Sequence, residues 1–255
     1  MSEYRVPAVV NAFSVLRELS QGDDGGQTAA ELCRATGASK SSMHNLLATL
    51  VDEGVVARDS RTLSYRLGPA LISLGAAASG QTRLLDIATE ELSRLAAEKE
   101  LSFAIGQPIG PYEVAVIDRF YPRDDVHVGV RLGATYGLYE GAIGKCLLAE
   151  LDEKEVRRIL RKRKVPAYTE RTLTKPDEIV AELARVRAQG WAAARGELNE
   201  NNAVATKVPD RGGDPALFLL ALGFPERFDD PAIEETGKLL VATAARIRSA
   251  AGIDV

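Results

Sequence analysis

Hydrophobic positions in the first third of the chain recur at helical spacing. Residues 8–20 carry an apolar stripe and run into the turn-forming segment 21–26, which predicts a first helix followed by a loop. A second helix is predicted over 29–36, since Thr28 and Glu31 have the spacing of a capping box and a glycine follows the last helical residue. Two short helices joined by a turn are therefore expected at the start of the chain.

A third helix has the clearest periodicity in the sequence. Its apolar residues fall at i, i+3, i+4, i+7 and i+8, on one face: Met43, Leu46, Leu47, Leu50 and Val51. The opposite face, near the N-terminus, has no acidic residue and presents groups able to bond base edges or phosphates: Ser39, Lys40, Ser41, Ser42, His44 and Asn45. This pattern predicts a helix that is anchored on one side and open to a polar partner on the other.

Two short strands are predicted after the third helix, over 55–58 and 63–67, about a tight loop. Three helices followed by a β-wing are the layout of a winged helix-turn-helix, which inserts one helix into the major groove of DNA. The wing carries Arg58, Arg61 and Arg66, which are placed to contact the phosphate backbone or the minor groove. Thr28, at the start of the second helix, is a further candidate DNA contact.

Beyond residue 68 the pattern predicts a connecting helix and then an α+β domain. We expect a DNA-binding domain over 1–68, a linker helix over 69–80, and a second domain over 81–255. In the last of these, helices are predicted at 84–99, 144–150, 152–161, 176–189 and around 233–247. Strands are predicted at 101–105, 114–118, 126–130, 191–198, 204–208 and 217–224. These elements suit a mostly antiparallel sheet with helices packed against it.

Composition narrows the functional classes. The 255 residues carry a net charge of −4, so DNA binding would need positive charge concentrated on one face. We expect no membrane span and a cytoplasmic location, because the longest apolar stretch is too short to cross a bilayer and the start has no pattern of a signal peptide. The two cysteines are distant in sequence and are expected to be reduced thiols. Only two histidines are present, which disfavours a metal site, and we predict no cofactor.

The motifs together resemble the IclR family of bacterial transcriptional regulators. AAELCRATGASKSSMHNLLATLVDEGVV resembles the helix-turn-helix of that family, and RDSRTLSYRLGPALISLG resembles its wing and the start of its linker helix. RLGATYGLYEGAIGKCLLAEL is similar to the family stretch in which a Gly-Lys pair opens a helix. The resemblance extends over nearly the whole chain.

Membership would imply that 81–255 is an effector-binding and oligomerisation domain of GAF-like fold, and that the protein acts as a homodimer or dimer of dimers on a palindromic double-stranded DNA operator. It would also imply a small-molecule effector, and repression as the more common mode of action. The departures from the family pattern are Gly137-Leu138 in place of Pro-Leu before the Gly-Lys helix, and an altered ELNENNAVATKV segment.

The candidate effector residues follow by position along the domain: Val128, Ala142, Ile143, Glu197, Asn202, Val204, Thr206 and Leu220. This set has no cation clearly placed to pair a carboxylate, so it suits a polyhydroxylated or nitrogen-bearing ligand at least as well as a simple acid. Lys145 is expected to point to solvent. The basic run 157–164 is interpreted as a solvated surface. The alternative function, a small-molecule sensor or enzyme with a helical appendage and no DNA role, would need a catalytic constellation that we do not find in the sequence.

Overall fold

A computed structural model describes residues 6–22, 25–79, 83–123 and 126–253. The chain divides into two compact units, Met1–Thr82 and Arg83–Val255. The connecting helix that follows the predicted wing belongs to the first unit. Each unit has its own hydrophobic core.

The N-terminal unit is a three-helix bundle with a small sheet and a fourth helix. Its helices are α1 (Pro7–Gln21), α2 (Ala29–Thr36), α3 (Lys40–Asp52) and α4 (Ala70–Ser79). The strands are β1 (Gln27–Thr28), β2 (Val56–Arg58) and β3 (Ser64–Leu67), which pair antiparallel in the order β1-β3-β2. The two-residue strand β1, which pairs with the wing, is too short to leave a periodic signal in the sequence.

One apolar cluster holds this bundle together. Val15 of α1, Leu32 of α2, and Met43 and Leu47 of α3 are almost inaccessible to solvent and meet in its centre. The turn between α2 and α3 depends on Gly37, whose φ of 72° lies in the left-handed region that glycine adopts without steric cost. The core thus fixes the orientation of α3 relative to the wing.

The C-terminal unit contains a six-stranded antiparallel sheet. Its strands are β4 (Ser102–Gly110), β5 (Glu113–Phe120), β6 (Thr135–Gly137), β7 (Trp191–Arg195), β8 (Asn202–Pro209) and β9 (Pro215–Gly223), in the order β6-β5-β4-β9-β8-β7. The helices are α5 (Arg83–Glu98), α6 (Gly141–Ala149), α7 (Glu153–Lys162), α8 (Pro176–Gln189) and α9 (Asp230–Ala250).

Helices cover both faces of this sheet. α5 and α9 pack on one face, around a core that includes Phe103, Leu219 and Leu240. α6 packs on the other face, between the sheet and much of α8; α8 also contacts β7, and α7 packs on α8. Because α6 lies between two layers, every residue from Ala142 to Leu148 is buried. This position makes α6 the framework of both cavities described below.

The predicted strand over 126–130 is wrong. The backbone there pairs with side chains rather than with a neighbouring strand: the carbonyl oxygen of Val130 accepts hydrogen bonds from Arg119 Nη1 at 2.8 Å and Tyr121 Oη at 3.0 Å. His127 stacks on the Tyr121 ring with centroids 4.1 Å apart. The strand position beside β5 is taken instead by β6, nine residues after the start of the expected strand.

No helix among the described residues combines the length and the apolar character needed to cross a membrane. The same part of the chain contains no group of three or more His, Cys, Asp or Glu side chains arranged to hold a metal ion.

Candidate nucleic-acid interface and effector pocket

The N-terminal turn of α3 projects a polar face from the first unit. Ser39 caps the helix, with its Oγ accepting from the Ser42 backbone N–H at 3.3 Å. The side chains on this face are all exposed: Ser39, Lys40, Ser41, Ser42, His44 and Asn45. The opposite face of the same helix is fixed by Met43 and Leu47, each only 1% exposed. The six predicted contact residues of α3 therefore lie together on one accessible surface.

This surface is electrostatically suited to an anion. The first turn of α3 contains no acidic residue, and the free N–H groups of a helix N-terminus favour negative charge. The side chains of Lys40, His44 and Asn45 form no hydrogen bond or ion pair with any other described residue. Their donors and acceptors are thus available to a partner.

The wing presents its arginines to solvent. Arg58, Arg61 and Arg66 are exposed, and the Arg58 guanidinium lies over the Tyr65 ring at 5.7 Å from its centroid. Asp59 shapes the loop by accepting from the backbone N–H groups of Thr62 and Arg61. The hydrogen bond from Thr62 has the larger effect, and together the two bonds hold the pKa of the Asp59 carboxyl below its usual value. The carboxylate of Asp59 is therefore engaged in hydrogen bonds with backbone N–H groups, and these bonds order the turn that carries the three arginines.

Thr28 is the N-cap residue of α2. Its hydroxyl donates to Glu31 Oε2 at 2.7 Å and accepts from the Glu31 N–H, and its own N–H donates to the same carboxylate, which completes the capping box of α2. The side chain is half-buried and also lies in the pair formed by β1 and β3. Its hydroxyl is thus committed to the helix cap, unlike the free groups of α3.

In the second unit, a pocket opens where α6 begins. We call it the α6-start pocket; it has a volume of about 50 Å³ and lies between the loop before α6, the first turn of α6 and the adjoining ends of β7, β8 and β9. Four of the eight predicted effector residues line it: Ala142, Ile143, Asn202 and Leu220. Tyr136, Glu140, Asn199 and Asn201 add polar groups that the sequence pattern did not indicate.

The other four predicted effector residues do not line this pocket. Val204 and Thr206 point to the opposite face of the sheet, where Val204 joins the α5–α9 core and Thr206 donates to the Gly190 carbonyl at 2.7 Å. Because side chains alternate along β8, Val204 and Thr206 lie on the same face of the sheet, and the pocket lies on the other face. Glu197 is turned toward Lys145. Val128 is buried elsewhere, in the irregular segment before β6.

The α6-start pocket is rich in hydrogen-bonding groups and contains no lysine or arginine among the described residues that line it. Glu140 precedes α6 without capping it; its Oε2 accepts from the Gly137 N–H at 2.5 Å and its Oε1 from the Tyr168 hydroxyl at 3.3 Å. The first N–H groups of α6 therefore have no side-chain cap. Burial, and secondarily the Glu140 charge, raises the pKa of the Tyr136 hydroxyl, which stays a donor at neutral pH.

Lys145 does not point to solvent, contrary to the expectation from sequence. The residue is 9% exposed, and its Nζ donates to Glu197 Oε1 at 2.6 Å and to the Ala193 carbonyl oxygen at 2.7 Å. The reason is the burial of α6 on all sides, which leaves no solvent-facing position for this side chain. The side chain lies in a second space, the α6–α8 cavity, formed by α6, α8 and residues 165–173.

Both units match models of one protein family. The IclR helix-turn-helix domain matches residues 8–60, and the C-terminal domain of the bacterial transcriptional regulator IclR matches residues 76–249. The chain belongs to the IclR family. As a member it is a DNA-binding transcriptional regulator, and the proteins it resembles are regulators rather than enzymes.

Individual IclR proteins align over almost the whole chain. The HTH-type transcriptional regulator KdgR of Escherichia coli is 32% identical over 252 residues, which cover 97% of this chain and 93% of KdgR. The crystal structure of an IclR regulator from Alicyclobacillus acidocaldarius is 32% identical, with a TM-score of 0.87 over 98% of this chain and 100% of that one. An IclR homologue from Microbacterium hydrocarbonoxydans, solved with 4-hydroxybenzoate, shares the fold at 21% identity, with a TM-score of 0.77 over 97% and 100% of the two chains. The IclR architecture predicted from the sequence is thus confirmed.

Proposed function

We propose that α3 of this IclR regulator is the helix that reads its operator in the major groove, while the wing arginines hold the adjoining phosphates. The observation that carries this proposal is the acid-free, exposed N-terminal face of α3 on a helix whose other face is locked into the core. In this arrangement Lys40 and the serines contact phosphate oxygens, and His44 and Asn45 reach base edges.

Lys40→Ala tests the phosphate contact. The DNA upstream of the protein's own coding region, labelled for fluorescence anisotropy, is titrated with the full-length chain over a range of salt concentrations. We expect weaker binding to this DNA and to unrelated DNA alike, and a salt slope that is shallower by about one unit for each phosphate that the variant no longer neutralises.

Lys238→Ala is the matched control, since it removes one exposed lysine from α9 in the other unit. If Lys40→Ala leaves both the affinity and the salt slope at wild-type values, the N-terminal turn of α3 does not contact the phosphates.

A homodimer, alone or paired into a dimer of dimers, would present two copies of α3 to a palindromic operator. Support comes from apolar side chains that the first unit leaves exposed on α1 and α4: Val9, Val10, Phe13, Ile72 and Leu74. Phe13 is 56% and Ile72 75% exposed, and large apolar side chains left open on a folded unit are typical of surfaces for association.

Phe13→Asp tests this surface. Light scattering during size-exclusion chromatography is expected to show dissociation toward smaller species at micromolar concentration. Leu132→Asp, which places the same charge at a comparably exposed apolar residue of the second unit, is expected to leave the mass unchanged. Equal masses for Phe13→Asp and the wild-type protein would argue against α1 as a subunit contact.

We further propose that the α6-start pocket binds the effector. The effector changes operator affinity because it binds one of two conformations of the protein more tightly than the other. Glu140 and the asparagines offer acceptors, and the uncapped N–H groups of α6 offer donors, which suits a polyhydroxylated or nitrogen-bearing compound. Those N–H groups also suit a carboxylate, such as that of the 4-hydroxybenzoate bound by the Microbacterium homologue.

A thermal-shift screen of sugars, sugar acids and aromatic acids identifies the class, because a true ligand raises the melting temperature with increasing concentration. Glu140→Gln should reduce the shift given by a hydroxyl- or amine-bearing ligand, while Glu170→Gln on the exposed surface should not. A ligand whose shift and affinity are identical in the wild-type protein and Glu140→Gln would bind elsewhere.

We place the protein in the bacterial cytoplasm, where the chromosome lies, and infer repression, since a bound dimer excludes other proteins from the DNA it covers.

A further inference from the structure

The tip of the wing carries an exposed leucine in a backbone conformation that leucine disfavours. Leu63 has a φ of 58°, and it is the one non-glycine residue with positive φ in the part of the chain that the structure describes. In this left-handed region the Cβ of an L-residue crowds the neighbouring carbonyl oxygen, so glycine and asparagine are the usual occupants. The side chain is 53% exposed and lies outside the apolar core of the first unit. Neither the backbone nor the side chain of Leu63 therefore favours folding.

Hydrogen bonds hold the tip of the wing in one shape. The Leu63 N–H donates to the Asp59 carbonyl oxygen at 2.9 Å, and the Asp59 N–H donates to the Ser64 carbonyl oxygen at 2.9 Å. The Thr62 and Ser64 hydroxyls are hydrogen-bonded at 2.7 Å, and the Ser64 hydroxyl donates to the Gly25 carbonyl oxygen at 2.9 Å. The Leu63 side chain thus extends from a preorganised turn, which a partner does not have to order on binding.

The wing is also fixed relative to α3. Val56 on β2 and Tyr65 on β3 are 2% and 9% exposed, and both lie in the same apolar cluster as Met43 and Leu47 of α3. Leu63 and the polar face of α3 therefore belong to one packed unit. A duplex that accepts α3 in its major groove meets the wing at the adjoining backbone or minor groove.

The charges around Leu63 favour DNA as its partner. Arg58, Arg61 and Arg66 are exposed on the same hairpin, and the Asp59 carboxylate between them accepts from backbone N–H groups. A leucine among three cations suits a surface with an anionic rim and an apolar interior. The minor groove has this character, because phosphates line its two edges while sugars and base faces lie within. An apolar protein surface would offer the three cations no counter-charge.

We propose that Leu63 is an apolar wedge that enters the minor groove beside the α3 site and partly unstacks one base step. The wing arginines bind the phosphates at the groove edges, and the leucine side chain leaves water by packing against the opened step. Pyrimidine–purine steps are the easiest to open, so the wedge makes DNA deformability part of operator recognition at positions that α3 does not touch. The disfavoured backbone of Leu63 is the stability cost of presenting this side chain.

This inference rests on the proposed binding of the operator by α3 and the wing, and it extends the role of the wing from phosphates to a base step. Leu63→Asn tests it in the full-length protein, on an operator that the wild-type protein has selected from randomised DNA. Asparagine tolerates the left-handed backbone and lacks the apolar body. The variant should therefore melt at or above the wild-type temperature and yet bind the operator about tenfold or more weakly in fluorescence anisotropy, the size of burying one leucine side chain.

Unstacking is measured with 2-aminopurine, whose fluorescence rises when the base leaves the stack, placed at each adenine of the operator in turn. With saturating wild-type protein, we expect a rise at one step in each half-site, and no rise at that step with saturating Leu63→Asn. Leu63→Met keeps an apolar side chain on the same backbone and should retain most of the affinity and the fluorescence rise. Leu132→Asn removes an equally exposed leucine, also 53% accessible, from the second unit and should behave as the wild-type protein does.

The proposal is overturned if Leu63→Asn binds the operator as tightly as the wild-type protein, a result that would assign the exposed leucine to a protein contact instead. It is also overturned if no 2-aminopurine position brightens, or if Leu63→Met loses as much affinity as Leu63→Asn. The roles of α3 and the wedge are separable, because Lys40→Ala should lower the affinity but keep the fluorescence rise at saturation. Loss of binding in Leu63→Asn with no effect of the α3 variants would leave the wedge standing and remove the α3 proposal, and the reverse result would remove the wedge alone.

Discussion

Replacing Lys145 by methionine tests the buried ion pair that joins α6 to the β7–β8 loop. Methionine has a similar length and no charge, so it fills much of the same space without donating a hydrogen bond. The substitution leaves Glu197 Oε1 and the Ala193 carbonyl oxygen without the donor that now lies at 2.6 and 2.7 Å. It also leaves the Glu197 carboxylate, on a side chain only 12% exposed, without its nearest cation, while Glu182 keeps the exposed Arg185 at 3.4 Å.

The expected cost follows from this burial. Removing one partner of a buried ion pair costs about 3–5 kcal/mol, because an uncompensated charge remains in a poorly solvated position. For a domain of this size, that loss lowers the melting temperature of the C-terminal unit by roughly 6–20 °C. The double variant Lys145→Met/Glu197→Gln should lose about 1–3 kcal/mol less free energy of unfolding than the two single variants lose in sum. The reason is that it no longer contains the Glu197 carboxylate without its ammonium partner.

Trp191 provides the assay. It is the one tryptophan in the sequence, lies on β7 in the C-terminal unit and is 6% exposed, so its fluorescence follows unfolding of that unit alone. Guanidinium titrations of the wild-type protein, the two single variants and the double variant complete the cycle. Lys238→Met, at an exposed surface ion pair, should change the midpoint very little. A Lys145→Met protein within about 1 kcal/mol of wild type would refute the assigned role of this pair.

Further predictions concern packing, backbone conformation and thiol chemistry. Gly237→Ala should destabilise the same unit by about 1–3 kcal/mol in the fluorescence titration, because the new Cβ would lie 2.3 Å from the Trp191 ring; an unchanged midpoint would contradict that close approach. Leu63→Asn should stabilise the N-terminal unit by up to about 1 kcal/mol, since Leu63 has a φ of 58° that asparagine tolerates better; calorimetry showing a lower melting temperature would argue otherwise. Burial raises the pKa of the Cys146 thiol to about 12, so Ellman's reagent at pH 8 should modify half-buried Cys33 well before Cys146, and rapid reaction of Cys146 in the folded protein would disprove its burial. Because the folded pKa lies above that of the unfolded thiol, Cys146 favours folding below pH 9 and this contribution declines as the pH rises toward 12, a decline that Cys146→Ala should lessen.

The helices of the first unit were predictable because their signals are local. In α3, one face must be apolar to reach the core, so the spacing of Met43, Leu47 and Leu50 also defines which residues are exposed. The polar N-terminal face of α3 followed from the same periodicity. Thr28 could be recognised as a helix cap from its spacing to Glu31, but this signal gives no information on DNA contact.

The pocket residues were harder to predict, because the relevant choice is made by tertiary packing. Alternation along β8 shows that Val204 and Thr206 share a face, but helices cover both faces of this sheet, so hydrophobicity does not distinguish them. The same problem led to the wrong expectation for Lys145: α6 is buried on every side and has no solvent face that periodicity could reveal. Glu140 reaches the pocket because of the path of an irregular loop, and such a loop leaves no periodic signal in the sequence.

Sequence selection by Asn45→Ala tests the central claim, that the polar face of α3 reads the operator. Full-length wild-type and variant proteins are each used to select binding sites from operators with randomised half-sites, at one salt concentration. If Asn45 contacts a base edge, the variant loses its preference at one or two positions in each half-site and keeps it elsewhere, with about 1–3 kcal/mol less discrimination at those positions. An unchanged preference at every position in Asn45→Ala, and equally in His44→Ala, would contradict the claim.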